Sequence, residues 1–377
     1  MDLETTTEER RFREEVRTWL EENTPREPRP SEEKEARPYD LAWQRAQFEG
    51  GWAGVSWPKE YGGRGLSLIQ QMIWHEEYAH ADAPYIGSCF VGINHAGPTL
   101  VTRATEEQKA FHLPKILKGE VVWCQGFSEP GAGSDLAGLQ TRAEIDGDHL
   151  VVNGQKIWTS FADVADYQEL LVRTDTEGSK HAGITWVIGD MSLPGVEVRP
   201  IRTMDGMAEF CEVFYTDVRS PLTSVVGEID DGWSVAMSTL GFERGTAFTA
   251  RQIAVARNVE KLMEIAKERP SPSGHGSAFD DDEIGMRLAR LRAEVTAMRA
   301  MTLATISRAR RSPVPGPEGS ILKVFLADLE IRMQRLGMEI LGHDGLVLGE
   351  TAADWPNTYL RSYATKIGGG TSEIQRN

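Results

Sequence analysis

The densest group of residues able to do chemistry is Ser128-Glu-Pro-Gly-Ala-Gly-Ser-Asp135. Two glycines and a proline make a tight turn, and its backbone N–H groups and the hydroxyls of Ser128 and Ser134 can approach a ligand closely. Gly131 and Gly133 also open a dinucleotide-binding G-x-G-x-x-G pattern. However, Leu136 takes the third glycine position, and the chain beyond alternates like a hairpin rather than a helix. Taken alone, the octapeptide is explained about as well by an ordinary strand connection. Two more segments accompany it. Asn153-Gly-Gln-Lys-Ile-Trp-Thr-Ser160 reads as a hairpin turn feeding a strand that ends in a large aromatic and two hydroxyls, and Gly368-Gly-Gly-Thr-Ser-Glu-Ile-Gln-Arg376 lies near the C-terminus.

The elements that must position these segments change type twice. Up to residue 120 the pattern is helical. Thr5 and Glu8 fit a capping box ahead of the stripe Phe12, Val16, Trp19 and Leu20, and Thr105 with Gln108 fits another. Pro25 to Pro38 reads as a surface connection. From Val121 onward, short β-rich runs separated by Asp146-Gly147-Asp148 and Asn153-Gly154 predict an antiparallel β domain. From about Asp231 the helical period returns, with long stretches over Gly232 to Lys267, Asp282 to Arg311 and Glu318 to Leu341. These predict an antiparallel bundle. The expected domains are a helical unit over 1–120, a β unit over 121–228 and a helical bundle over 229–377. A βαβαβ alternation is absent, which argues against a doubly wound nucleotide fold.

Composition narrows the function. With 41 Lys+Arg against 57 Asp+Glu the net charge is −16, which disfavours binding to nucleic acid. No apolar run approaches the roughly 20 residues of a membrane span. Cys89, Cys124 and Cys211 lack CxxC or metal-ligand spacing, and the acidic N-terminus resembles neither a signal nor a transit peptide. A cytoplasmic protein is expected. The eight histidines form no HxxxH or HExxH pair, so no metal site is expected. His95, in Gly92-Ile-Asn-His-Ala-Gly97, reads first as a structural histidine and second as a neighbour of a substrate pocket.

These motifs, in this order and setting, resemble the acyl-CoA dehydrogenase family over essentially the whole chain, including Trp57-Pro-Lys-Glu-Tyr-Gly-Gly63 and Leu240-Gly-Phe-Glu-Arg244. The resemblance implies an α+β, mostly α fold: an N-terminal helical domain, a middle β domain and a C-terminal four-helix bundle, with FAD between the last two. It assigns Gln125, Phe127 and Ser128 to the flavin pyrimidine edge and Ser134 to a contact with the thioester substrate. Trp158 matches the tryptophan flanking the isoalloxazine ring. Ser160 matches the hydroxyl that bonds flavin N5, a position where the family usually has threonine. Thr371 and Glu373 match positions near the FAD pyrophosphate. A carboxylate there is repelled, so Glu373 is expected to point away.

The implied reaction removes a proton α to a thioester and a hydride from the β carbon. It needs a carboxylate in a dry site, where desolvation raises its pKa toward neutrality. Many family members carry this glutamate immediately before Gly-Thr-Ser, but here that position is Gly369. A minority resembling the isovaleryl- and long-chain enzymes place it on the first long bundle helix, followed by arginine, and Glu243-Arg244 matches that arrangement. The resemblance therefore implies Glu243 as base, Arg244 beside the substrate, and the Gly369 N–H polarising the thioester carbonyl. Without it, Glu243 would pass for a surface ion-pair partner, as most helix carboxylates are.

The implied activity is dehydrogenation of an acyl-CoA to trans-2-enoyl-CoA, with electrons passed to an electron-transferring flavoprotein, within fatty acid β-oxidation or wider lipid metabolism. A flavin oxidase or monooxygenase on the same fold, or a non-catalytic subunit of a heteromeric acyl-CoA dehydrogenase, are the alternatives. Homotetrameric relatives hold the FAD diphosphate partly through a neighbour's Arg-x-x-x-Phe-Gly and Gln-x-x-Gly-Gly segments. Here the first region runs from Arg269 to Phe279 without that pattern, and the second reads Glu339-Ile-Leu-Gly-His343. Either a heterotetramer with a related subunit supplies the missing cation, or Arg287, Arg290 or another local arginine does so in a homotetramer.

Overall fold

Thr6 opens the first helix, α1 (Thr7–Asn23). Its hydroxyl accepts from the Glu9 N–H at 3.1 Å while the Glu9 carboxylate accepts from the Thr6 N–H at 2.9 Å. The box expected at Thr5 and Glu8 is thus displaced by one residue. The computed structural model describes residues 6–243, 247–309, 316–348 and 354–377, so Thr5 lies outside it. Phe12, Val16 and Leu20 are buried as the stripe predicts. They pack with Trp43, Trp52 and Trp74 from α2 (Glu33–Glu49), the following loop and α3 (Leu68–His80). α2 begins inside the proline-rich stretch expected to be a connection and carries Pro38 internally. Arg29 bonds both Glu33 at 2.6 Å and Asp40 at 2.8 Å, fixing the first two turns.

A π-helical turn (Gly92–Ala96) runs directly into α4 (Gly97–Arg103), and α5 (Glu106–Leu117) follows behind the expected Thr105–Gln108 box. The indole N–H of Trp57 donates to the Ile93 carbonyl at 2.9 Å, a carbonyl within the widened turn. A Cβ at position 97 would lie 1.8 Å from Trp57 Cζ2, so only glycine fits beneath the ring.

Seven strands form one sheet: β1 (Trp123–Gly126), β2 (Arg142–Asp146), β3 (His149–Ser160), β4 (Tyr167–Arg173), β5 (Ile184–Asp190), β6 (Val196–Ile201) and β7 (Phe210–Pro221). Most pairings are antiparallel, but β1 runs parallel to β4 with Gln125 opposite Glu169. The expected hairpin at Asn153-Gly154 is instead a bulge within the continuous strand β3, while Gly147 takes the β2–β3 turn. Position 154 tolerates only glycine because a Cβ there would sit 2.6 Å from Thr141 Oγ1.

The stretch expected to be helical over Gly232 to Lys267 is helical wherever it is described, as α6 (Gly232–Glu243) and α7 (Ala247–Glu268), with residues 244–246 between them outside the described residues. α6 packs on β5, α4 and the π turn, whereas α7, α8 (Asp282–Ala309) and α9 (Glu318–Leu341) pack on one another. α10 (Trp355–Ser362) completes the bundle against α9, and α11 (Ser372–Arg376) also lies on α9. One apolar core joins the first two units and α6 through Trp57, Leu100, Trp123, Phe127, Trp186 and Val235. Among the described residues, no helix is long and apolar enough to cross a membrane.

Candidate active site

Two of the three sequence motifs are hydrogen-bonded to each other. Lys156 of β3 is fully buried, and its Nζ donates to the Phe127 carbonyl at 3.0 Å and to Glu129 Oε1 at 2.8 Å. The next residue, Ile157, donates its N–H to the Ser128 carbonyl at 3.0 Å. Glu129 also accepts from the N–H groups of Gln140 at 2.6 Å and Thr141 at 2.9 Å. Burial would raise its pKa, but Lys156 and these N–H groups outweigh that and hold it below the usual carboxylate range. Burial pulls the lysine down to about 8 against the opposing pull of Glu129, so the pair is charged at neutral pH. Glu129 and Ala132 exchange two backbone bonds of 3.0 Å, closing the Pro130-Gly131 turn. A Cβ on Gly131 or Gly133 would meet nothing within 4 Å, so the chain's own packing does not demand glycine here. Ser134 is exposed on this loop, and the adjacent Asp135 pairs with Lys180 at 2.7 Å.

The second motif ends in a second bulge, between Lys156 and Thr159. Trp158 is thrown outward at φ +61°, a backbone state costly for a bulky residue, and its side chain is 55% exposed. Its ring meets Phe210 edge-on at 6.0 Å. The hydroxyl of Thr159 is buried without a hydrogen-bond partner among the described residues, and Ser160 pairs across to Phe210 on β7. A strained, exposed indole fits a wall awaiting a flat aromatic ligand.

Arg361, which precedes the third motif along the chain, contacts the β unit next to the end of the second. This α10 residue bonds Glu209 and lies 3.8 Å from Asp205, while the Glu209 carbonyl accepts from Phe161 N–H at 2.8 Å, next to Trp158 and Ser160. Beyond α10, the Gly369 carbonyl accepts from Gln375 Nε2 at 2.8 Å and the Gly370 carbonyl from Lys323. Thr371 caps α11 by accepting from the Ile374 N–H at 3.2 Å. Glu373 is exposed, 3.8 Å from Arg376, and its pKa is lowered first by its own backbone N–H. It faces solvent on its own helix.

Gln125 is half-buried at the end of β1 and donates to Glu169 Oε2 at 2.9 Å, and Phe127 is buried behind it. Glu243 is the last residue of α6; its side chain and the whole of Arg244 lie outside the described residues. Three arginines of the regions expected near a diphosphate are paired with carboxylates of this chain: Arg269 with Asp344, Arg287 with Glu339 at 2.7 Å, and Arg290 with Glu294 at 3.0 Å. Sequence reasoning missed Lys156, Glu129 and Glu169. A lone glutamate in Tyr167-Gln-Glu-Leu-Leu-Val-Arg173 was the available signal, because a charge in the middle of an apolar strand is buried or paired.

Comparison with known proteins covers the whole chain. Family models match in three successive pieces: "Acyl-CoA dehydrogenase, N-terminal domain" over residues 6–120, "middle domain" over 124–218 and "C-terminal domain" over 230–377. Acyl-CoA dehydrogenase IpdE1 of Mycobacterium tuberculosis is 40% identical over 374 residues, spanning 97% of this chain and 94% of that protein. The solved Tcur3481-Tcur3483 steroid ACAD superposes with a TM-score of 0.84 at 32% identity, covering 100% of this chain and 97% of that one. The ChsE4-ChsE5 complex from Mycobacterium tuberculosis gives 0.83 at 32% identity, covering 100% and 96%.

Proposed function

The chain belongs to the acyl-CoA dehydrogenase family, and from that premise we propose that it converts an acyl-CoA thioester to its trans-2-enoyl-CoA with FAD as cofactor. The observation that carries this reading is Trp158, a tryptophan held in a strained backbone state yet left 55% exposed, two residues before Ser160. When bound, FAD supplies the hydride acceptor. Trp158 flanks it, the Ser160 hydroxyl donates to it, and Gln125, Phe127 and Ser128 line its edge. Thr371 uses a lone pair to cap α11, which leaves its O–H to donate to a phosphate oxygen. Glu243 removes the α proton, the Gly369 N–H donates to the thioester carbonyl, and Ser134 and Arg244 contact the substrate. The electrons leave to an electron-transferring flavoprotein.

The acyl group we assign is large and ring-bearing, supported by the relative described as a steroid ACAD. The assembly we assign is a heteromer with a related subunit. Two observations support this: Arg269, Arg287 and Arg290 are each engaged by their own chain, and one of the similar structures is a two-component complex. The test is to purify the chain alone and with a co-expressed related subunit, record flavin absorbance, and add a panel of acyl-CoA thioesters anaerobically. Bleaching of bound flavin by ring-bearing acyl-CoAs is expected. Flavin retained by neither preparation, or bleached by no thioester, refutes the reading.

A further inference from the structure

His95 sits on the π turn with 5% of its surface exposed, and its ring meets Phe90 edge-on at 5.1 Å. The Gln125 amide nitrogen that donates to Glu169 Oε2 at 2.9 Å also faces His95 Nδ1 at 3.4 Å. Glu169 is wholly buried on β4, directly across from Gln125. Because the carboxylate orients the amide with its N–H groups toward the ring, Nδ1 accepts and the imidazole proton resides on Nε2. Burial pulls the ring down to about 4, so it is neutral at pH 7. Nε2 is itself buried and has no hydrogen-bond partner among the described residues. The result is a fixed buried donor with no partner among the described residues, one that a ligand or an ordered water completes.

The position of this donor follows from how α4 and α6 cross. The Thr99 and Thr239 hydroxyls are 2.9 Å apart, and Arg103 Nε donates to Ser238 Oγ at 3.0 Å, so the helices run antiparallel. One turn back from Thr99 is His95. One turn on from Thr239 is Glu243, the last described residue before position 244. The same crossing thus brings the level of His95 to the level of the proposed base, where the acyl group must lie.

We propose that His95 is a specificity residue that donates from Nε2 to an oxygen on the acyl portion of the substrate, a ring ketone or hydroxyl, with Gln125 and Glu169 holding it in the donating tautomer. This rests on the dehydrogenase reading above and on Glu243 as base. A plain hydrocarbon acyl group leaves the donor unsatisfied, whereas an oxygen acceptor completes the row from Glu169 through Gln125 and His95. Such a site discriminates strongly because it penalises the analogue that lacks the polar group.

The test uses the FAD-loaded enzyme, with its partner subunit where flavin retention needs one. The probes are 3-cyclohexylpropanoyl-CoA and its 2-, 3- and 4-oxo ring counterparts, compared by kcat/KM and by calorimetric Kd of the matching enoyl-CoA products. At least one oxo isomer is expected to be preferred over the hydrocarbon by about tenfold or more. His95→Phe, which keeps a ring but removes the donor, is expected to abolish that ratio. His95→Gln, which retains an N–H at similar reach, is expected to keep part of it. Absence of any oxo preference in the native enzyme, or a preference that survives His95→Phe, overturns the proposal. If no acyl-CoA bleaches the flavin, the dehydrogenase reading fails; if all bleach it with equal efficiency, only the role of His95 fails.

Discussion

Replacing Lys156 with Met tests whether the buried ion pair is what holds the Ser128 loop against β3. The substitution removes a cation that donates to both Glu129 and the Phe127 carbonyl, and it leaves Glu129 buried with only the N–H groups of Gln140 and Thr141. Breaking one side of a buried pair costs about 3–5 kcal/mol. The two remaining backbone donors place this case near the lower end, about 3 kcal/mol. Glu129→Gln alone leaves the ammonium buried and should cost a similar amount. The double variant Glu129→Gln with Lys156→Met removes both charges and should lose distinctly less than the two singles added together. Hydrogen exchange read on peptides covering 123–129 and 153–160 measures the opening free energy of this region directly. Flavin content is the second readout, expected to fall in both singles because Phe127 and Ser128 are no longer held. Singles costing under about 1 kcal/mol, or a double equal to their sum, would refute the claim that the pair acts as a unit.

Glu243→Gln keeps size and hydrogen bonding but loses basicity, so stopped-flow flavin reduction should slow by orders of magnitude while FAD stays bound; near-normal reduction excludes Glu243 as base. Trp158→Gly relieves a positive-φ strain of about 1 kcal/mol, so the flavin-free protein should unfold no earlier than the parent while flavin content drops; a flavin content equal to the parent's counts against the wall. Gly154→Ala forces a Cβ within 2.6 Å of Thr141 Oγ1 and should cost about 1–3 kcal/mol in chemical denaturation; a neutral effect contradicts the close approach at the bulge. The fourth concerns pH. His95 titrates at about 4 in the fold, below its ordinary 6.5, so the unfolded chain takes up the proton first. Its contribution is therefore complete above pH 6.5 and lost as pH falls toward 4, amounting to about 3 kcal/mol at 1.36 kcal/mol per unit. Unfolding midpoints of His95→Phe should fall less steeply across that window, and parallel curves would contradict this.

Local signals in the sequence were legible, whereas pairings between distant segments were not. Thr105 and Gln108 form their box as read because a cap involves four consecutive residues. The Thr5-Thr6-Thr7 and Glu8-Glu9 repeats fit two registers, and no local rule chooses between them. Asn153-Gly154 reads as a turn by composition, yet β7 pairs on both sides of it and turns the same dipeptide into a bulge. The motifs around Ser128, Trp158 and Gly369 were found from their residue types. Lys156 to Phe127, which ties the first two together, and Arg361 to Glu209, which ties α10 to the β unit, span 29 and 152 positions and leave no periodic trace. His95 looked structural because the amide and carboxylate that set its tautomer lie on two other strands.

The indole of Trp57, wedged beneath the π turn, has a consequence for how this chain can change over generations. A side chain at position 97 collides with the ring, and loss of the ring deprives the Ile93 carbonyl of its donor. Neither substitution is neutral while the other residue stands, so selection handles Trp57 and Gly97 as a single inherited character. Variation in this part of the protein is then channelled into the residues carried between those two anchors, Asn94 and His95. There a replacement of His95 removes the proposed donor without first dismantling the turn that presents it.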